Sequence, residues 1–257
     1  MIHETAILEG AITYPDDGSV HIGPYAVLRG SIRLGRNTRI APHACIEGEV
    51  VMGDANTIGH GAIIGADPQD LTFDSSVRSG VRIGTGNTFR EYVTIHRSSK
   101  EGRDTMIGDQ NFLMAGSHLA HDVTIGNENV IANNVLLAGH VHLGNHAFLG
   151  GGSVYHQFIR IGDRVMVQGN AGMSQDVPPF VVAHGINLIA GLNVIGLRRA
   201  RVNSAGRAML KKAFDLVYLA KLPSEEIGRL ADDPEWPAEA RQFLAFFREP
   251  SRKGVCR

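Results

Sequence analysis

Aliphatic residues recur at every sixth position of this chain. One register runs through Ile22, Leu28, Leu34, Ile40, Ile46, Met52, Ile58 and Ile64. It breaks across ADPQDLTFDSSVRSGV, resumes at Ile83, Phe89 and Ile95, and breaks again across RSSKEGRDT. From Ile107 it continues without interruption through Leu113, Leu119, Ile125, Ile131, Leu137, Leu143, Leu149, Tyr155, Ile161, Val167 and Met173. Glycine often follows the aliphatic, as in IGPYAV, IGDQNF, IGNENV and IGDRVM. The pattern predicts a β-solenoid in which each hexad is a short strand and a turn. The aliphatic points into the axis, and the small or polar residues form the corner. Three hexads close a triangular coil, so residues three hexads apart stack, and neighbouring coils supply one another's backbone partners. The polar breaks predict loops extruded near residues 66–80 and 98–105. A β-sandwich with accidental spacing would not hold one register for so long.

The six-residue pattern fades after SQDVPPFVVAHG, and from about Asn193 the signals become helical. SAGRAMLKKAFDLVYLAKL places Ala208, Leu210, Phe214, Leu216 or Val217, and Leu219 at helix-like intervals, with Ser204 as the expected cap. PSEEIGRLADD opens with Pro, Ser and acidic residues, a helix start, and PAEARQFLAFFRE reads as a third helix. The fold class is therefore all-β: a parallel β-helix over residues 1–190, with a small α-helical domain over residues 191–257 that blunts the exposed end.

Composition narrows the function. The 257 residues are 43% hydrophobic, enough for a sizeable core, while 6% aromatics and 31 glycines suit short strands and turns. A net charge of −1 gives no reason to expect a nucleic-acid partner. Cys45 and Cys256 lie far apart, the second in a tail expected to be mobile, so neither a disulfide framework nor a zinc cluster is expected and a reducing compartment is. MIHETAILEG lacks the features of a signal peptide, and no apolar run approaches the roughly 20 residues that span a bilayer. The expectation is a soluble, cytoplasmic protein with no membrane insertion.

Six of the 12 histidines fall between residues 118 and 156: His118, His121, His140, His142, His146 and His156. Stacking by three hexads sets His121 against Gly139, with His140 beside it and His156 about two coils above. An imidazole can act as general base near neutrality, and a carboxylate on its other nitrogen fixes the tautomer. Asp122 follows His121, but a residue next along a strand points to the opposite side unless the turn bends it back. A catalytic pair and a solvated corner therefore both stay open. A zinc site wants about three or four N/S ligands, for which His-x-x-His at a strand corner is a weak signature, so no metal is assigned. Neither cysteine lies in the cluster and no serine shows a nucleophile elbow. Direct transfer with a general base is favoured over an acyl-enzyme.

The stretches IHR, HLAHDVTIGN, IANNVLLAGHV, YHQF and QDVPPFVVAHG, with the helical C-terminus, closely resemble the acyl-[acyl-carrier-protein]–UDP-N-acetylglucosamine O-acyltransferases of the hexapeptide-repeat transferases. The resemblance covers nearly the whole chain. It implies a left-handed parallel β-helix, a homotrimer with active sites between subunits, and acyl transfer from acyl carrier protein to a UDP-sugar in the first step of lipid A synthesis. It implies that His121 takes the proton of the sugar 3-hydroxyl, Asp122 orients it, and the Gly139 N–H meets the oxyanion. It implies substrate contacts at Gln69, Asp70, His118, His140, His156, Gln157, Asn193 and Arg199, with Gly169 as the hydrocarbon ruler. No cofactor is expected beyond the phosphopantetheine that the carrier protein brings. The basic run Arg198, Arg199, Arg201, Arg207, Lys211 and Lys212 reads either as a dock for the acidic carrier or as a solvated helix face. Thr72, Ile195 and Ala200 depart from the family pattern, each removing a charge near the nucleotide. The alternatives are a paralogue acylating a different UDP-amino sugar, on oxygen or nitrogen, and a zinc protein like the γ-carbonic anhydrases.

Overall fold

The computed structural model describes residues 1–220 and 222–257. Every aliphatic position of the six-residue register is buried, from Ile22 at one end to Met173 at the other. All but Leu34, which directly follows the strand Val27–Arg33, lie in strands, and the strands stack in parallel columns that form the three faces of about ten coils. One face is built from Ile63–Ala66, Thr94–His96, His118–Leu119, Leu136–Leu137, Val154–Tyr155 and Gly172–Met173. The next carries Asp104–Ile107, Thr124–Ile125, His142–Leu143 and Arg160–Ile161. The third runs from His21–Ile22 up to Val181–His184. In uninterrupted coils the stacked partner is three hexads away, as His118 on Leu136 and Leu136 on Val154. The spacing lengthens most where the polar breaks intervene, Ile63 pairing with Thr94 and Thr94 with His118, and slightly in the first coil, where Ile7 pairs with Val27.

Those breaks are the extruded loops. The first leaves the column after Ala66 and returns at Gly80. Buried Arg97 holds it in place: its Nε donates to Asp67 (2.7 Å) and its terminal nitrogens to the carbonyls of Val77 (2.5 Å) and Ser75 (3.1 Å). The second loop leaves after His96 and returns at Asp104.

The last coil ends in a strand, Leu188–Leu192, antiparallel to Val181–His184. Four helices follow: α1 (Val194–Arg199), α2 (Ser204–Tyr218), α3 (Ser224–Leu230) and α4 (Ala238–Ala245). The expected cap at Ser204 falls one residue earlier. Asn203 is the extended residue whose side chain accepts from Gly206 N (2.7 Å), and Ser204 already lies inside the helix. Leu210 and Ala213 are the buried residues of α2, while Ala208 and Leu219 are exposed. The C-terminal tail is not mobile, as expected from sequence, but docked. Val255 bridges Asp176, Cys256 N donates to the Asp176 carbonyl (2.9 Å), and Cys256 is fully buried. No described helix is long and apolar enough to cross a membrane.

Inside one corner the column is polar. Asn56, Asn87, Asn111 and Asn129 are buried in a ladder, each side-chain oxygen accepting from the backbone and side-chain nitrogens of the next. The ladder satisfies corner N–H groups that the turns leave unpaired. Asn111→Ala strands donors of Asn129 and removes the side-chain donor to Asn87 Oδ1 and to the Gly126 carbonyl, while the backbone bond to Asn87 remains. It should cost on the order of 2–3 kcal/mol in denaturant unfolding, a cost that an exposed corner such as Asn134→Ala does not incur.

Candidate active site at a solenoid corner

The corner between the first two faces carries two ladders of chemically different residues. His121, Gly139 and Gln157 occupy one position in successive coils, and Asp122, His140 and Phe158 occupy the next. All three of the latter have left-handed backbone, with φ of 61°, 62° and 67°. That conformation decides what the sequence left open. A strand would point Asp122 away, whereas the left-handed turn folds its carboxylate back onto its neighbour's ring, so His121 Nδ1 donates to Asp122 Oδ2 at 2.8 Å. With the proton held on Nδ1, Nε2 is the nitrogen with the free lone pair.

Gly139 stands directly against that ring. A Cβ at residue 139 would lie 2.6 Å from Cε1 and 2.7 Å from Nε2 of His121. Only glycine lets the imidazole lie over the next coil. Among the described residues the Gly139 N–H has no acceptor, although its carbonyl accepts from Phe158 N (3.2 Å). His140 is sandwiched in the same ladder. It stacks on Phe158 with centroids 4.4 Å apart and meets His121 edge-on at 5.1 Å.

A cavity of about 590 Å³ opens from this corner across the first face, within the usual range for a ligand site. Its polar end is formed by Gln69, His96, His118, His121, Gly139, His156 and Gln157. Leu136, Val154, Gly172 and Ile186 continue it along the column as an apolar track.

Burial works against the charge of Asp122. Hydrogen bonds from His121, Ser98 and Ser99 outweigh it and hold the carboxyl well below the usual carboxylate range. Burial pushes His118 down to about 4, helped by the nearby His96, and lowers His96 and His140 as well. Burial thus favours the neutral form of His96, His118 and His140 beside the one fixed carboxylate of Asp122. His121, Asp122 and His140 also bring three metal-type donor atoms within 4.8 Å of one another. Their hydrogen bonds argue against a zinc centre. Nδ1 of His121 is spent on Asp122, and both carboxylate oxygens already take hydroxyl or N–H donors. No other described residue completes the four ligands zinc prefers.

Comparison with known proteins identifies the lineage. The chain is 41% identical over 259 residues to the acyl-[acyl-carrier-protein]–UDP-N-acetylglucosamine O-acyltransferase of Thermodesulfovibrio yellowstonii, covering 100% of this chain and 99% of that protein. The chain belongs to the acyl-[acyl-carrier-protein]–UDP-N-acetylglucosamine O-acyltransferase family. The member from Campylobacter concisus is 42% identical over 98% of this chain and 95% of its own. Among solved structures of the family, LpxA from Acinetobacter baumannii superposes with a TM-score of 0.93 at 32% identity, covering 100% of this chain and 99% of that one. The enzyme from Moraxella catarrhalis gives 0.92 at 36%, with the same coverage. The family model described as UDP N-acetylglucosamine O-acyltransferase, domain 2, matches residues 176–256, and the bacterial transferase hexapeptide model matches residues 104–139.

Of the residues that the acyltransferase resemblance singles out, Gln69, His118, His121, Gly139, His156 and Gln157 share the cavity wall. Asp122 and His140 lie just behind it. Asp70 sits beside Gln69 in the extruded loop, and its carboxylate is engaged by the Thr72 N–H and hydroxyl, both at 2.8 Å. The other three lie elsewhere on the chain. Gly169 is exposed at the opposite corner of the face, Asn193 caps α1, and Arg199 is exposed at the end of α1. Sequence reasoning missed His96, which is buried in the cavity wall with Nδ1 unpartnered, and Ser98 and Ser99, which bind Asp122. His96 was visible in IHR, next to a column aliphatic, whereas nothing in the second loop's composition marks the serines.

A depressed histidine binds its proton more readily unfolded than folded, so its contribution to stability is lost as pH falls. For His118 the loss spans the ordinary histidine range down to about 4 and levels off below. His118→Gln should flatten, without abolishing, the decline of the denaturant midpoint across that window. A parallel decline in variant and wild type would show that His118 does not carry it.

Proposed function

We propose that this protein transfers a (R)-3-hydroxyacyl chain from acyl carrier protein to the 3-hydroxyl of UDP-N-acetylglucosamine, the first step of lipid A biosynthesis. The observation that carries this reading is the base at the corner. His121 is fixed through Nδ1 by Asp122 and leans over the unpaired N–H of Gly139, at the polar end of an apolar track. Nε2 of His121 removes the hydroxyl proton as the sugar oxygen bonds to the thioester carbonyl. The Gly139 N–H donates to the resulting oxyanion. The carbonyl re-forms, the C–S bond breaks, and the imidazolium returns its proton to the departing phosphopantetheine sulfur. The acyl chain lies along Leu136, Val154, Gly172 and Ile186, where its apolar surface leaves water. No cofactor resident in the protein enters these steps.

The working unit of this reading is a homotrimer. Leu136, Val154 and Ile186 leave apolar surface exposed on one face, and Phe148 does so on another. Joining such faces of two copies removes both from water and closes the open side of the cavity. It also gives Gly169, Asn193 and Arg199 a route to a neighbour's site, Gly169 leaving room for a longer chain. The basic run near α1 and α2 receives the acidic carrier protein, and the reaction belongs in the cytoplasm, where both substrates are made.

The deciding assay pairs UDP-N-acetylglucosamine and other UDP-amino sugars with 3-hydroxyacyl carrier proteins of several lengths. His121→Ala should lose about 10²–10⁴ in kcat, the usual worth of a general base. Unchanged transfer would remove the catalytic assignment. An inert UDP-N-acetylglucosamine beside a reactive second sugar would move the assignment to the paralogue that Thr72, Ile195 and Ala200 suggest. Gly139→Ala places a methyl against the His121 ring and should lower kcat by about 10²-fold with an intact fold, read by circular dichroism.

A further inference from the structure

Orienting an imidazole needs one carboxylate oxygen, yet Asp122 receives far more. Its Oδ1 accepts from Ser98 Oγ at 2.5 Å. Its Oδ2 accepts from Ser99 Oγ at 2.6 Å and Ser99 N at 3.2 Å, besides Nδ1 of His121. Its own N–H donates to Thr105 Oγ1 at 3.0 Å. All of these partners except His121 come from the second extruded loop and the strand that follows it. The loop is itself braced. Ser98 is fully buried, its Oγ accepts from Lys100 N (3.1 Å), and its carbonyl accepts from Ser79 Oγ (2.5 Å). Ser79 Oγ in turn accepts from Arg97 (3.2 Å), the residue that anchors the first loop.

The bracing answers a competition. Asp122 has two imidazoles within reach: Nδ1 of His121 at 2.8 Å and Nε2 of His140 at 3.7 Å. Rotation toward His140 would release the His121 proton to either nitrogen and lose the tautomer the reaction needs. Two hydroxyls and an N–H fixed by the loop make that rotation costly, because each bond to an ionised carboxylate is a strong one.

We propose that Ser98 and Ser99 are positioning residues of the transfer reaction, locking the Asp122 carboxylate onto Nδ1 of His121 and away from His140. The proposal rests on the acyl-transfer reading above. The titratable and charged groups around His121 are Asp122 on its own turn, His118 on the strand before it, His140 on the next coil, His156 in the same cavity wall, Asp70 on the first loop, His96 on the coil beneath and Lys100 on the second loop. Substituting the serines leaves all of them in place. It removes the two hydroxyl donors that draw charge from Asp122, and Ser98→Ala also removes the acceptor of Lys100 N, which Ser99→Ala leaves intact. A carboxylate so relieved is a stronger acceptor for protonated His121, so more acid must be removed before the base is free.

The test compares wild type, Ser98→Ala, Ser99→Ala, the double variant, and Ser99→Thr, which keeps the hydroxyl. In the double variant kcat should fall about 10–100-fold, with KM for the sugar nucleotide within about twofold. The acid limb of the kcat/KM profile should move to higher pH by about half a unit or more. Ser99→Thr should stay near wild type on both counts. A readout independent of turnover is the downfield Nδ1–H resonance of His121 in ¹⁵N-histidine-labelled free protein. It should be present in wild type and Ser99→Thr, and shifted or broadened away in the double variant. A double variant with wild-type kcat and pH profile overturns the proposal. So does one that loses activity only in step with its melting temperature, while profile and resonance stay put. If wild type transfers no acyl chain to any sugar, the functional reading fails and the resonance alone decides, an unmoved signal in the double variant overturning the clamp.

Discussion

A coil of three hexads can bury an aliphatic side chain from every strand only if the backbone turns sharply between strands. This chain makes those turns with left-handed residues, at corners occupied by Asn37, His43, Asn134 and Asn170 as well as by Asp122, His140 and Phe158. Such backbone costs a non-glycine residue about 1–2 kcal/mol. The stacked column recovers that cost at each level by removing an aliphatic side chain from water. The site depends on the same constraint. A corner that must adopt positive φ turns the side chain following His121 back onto His121, and that side chain is a carboxylate.

The repeat also explains how so small a number of residues makes a site. Because coils stack in fixed register, the three residues at the corner form a vertical series: imidazole, glycine, amide. The glycine leaves space for the ring below and an N–H with no protein acceptor above it. Burial in this setting keeps His118, His96 and His140 neutral, and leaves Asp122 as the fixed charge. A neutral imidazole with a fixed tautomer beside a free N–H can accept a proton and receive a negative oxygen in one step.

Much of this was legible in the chain. The six-residue register located the core side chain by side chain, the polar breaks located both extruded loops, and stacking by three hexads placed His121 against Gly139. What remained hidden was set by backbone geometry and by contacts distant in sequence. Whether Asp122 turns toward His121 depends on a φ angle that residue identity alone does not give. Ser98 and Ser99 reach Asp122 from a loop more than twenty residues earlier, and loop length rather than hexad register decides where they land. Cys256 looked like part of a loose tail because its partner, Asp176, lies on the last coil, far away in the chain. Gly169, Asn193 and Arg199 lie away from the cavity of one chain, and only the trimer proposed above would bring them to a site.

The central claim is that one corner of the solenoid holds both the base and the oxyanion donor. The most direct measurement is a crystal structure of the protein with an acylated UDP-amino sugar product. The account predicts the ester oxygen about 3 Å from Nε2 of His121 and the ester carbonyl about 3 Å from the Gly139 nitrogen, with the acyl chain along Leu136, Val154 and Gly172. A product bound in an ordered pose with neither atom within hydrogen-bond reach of this corner would contradict it.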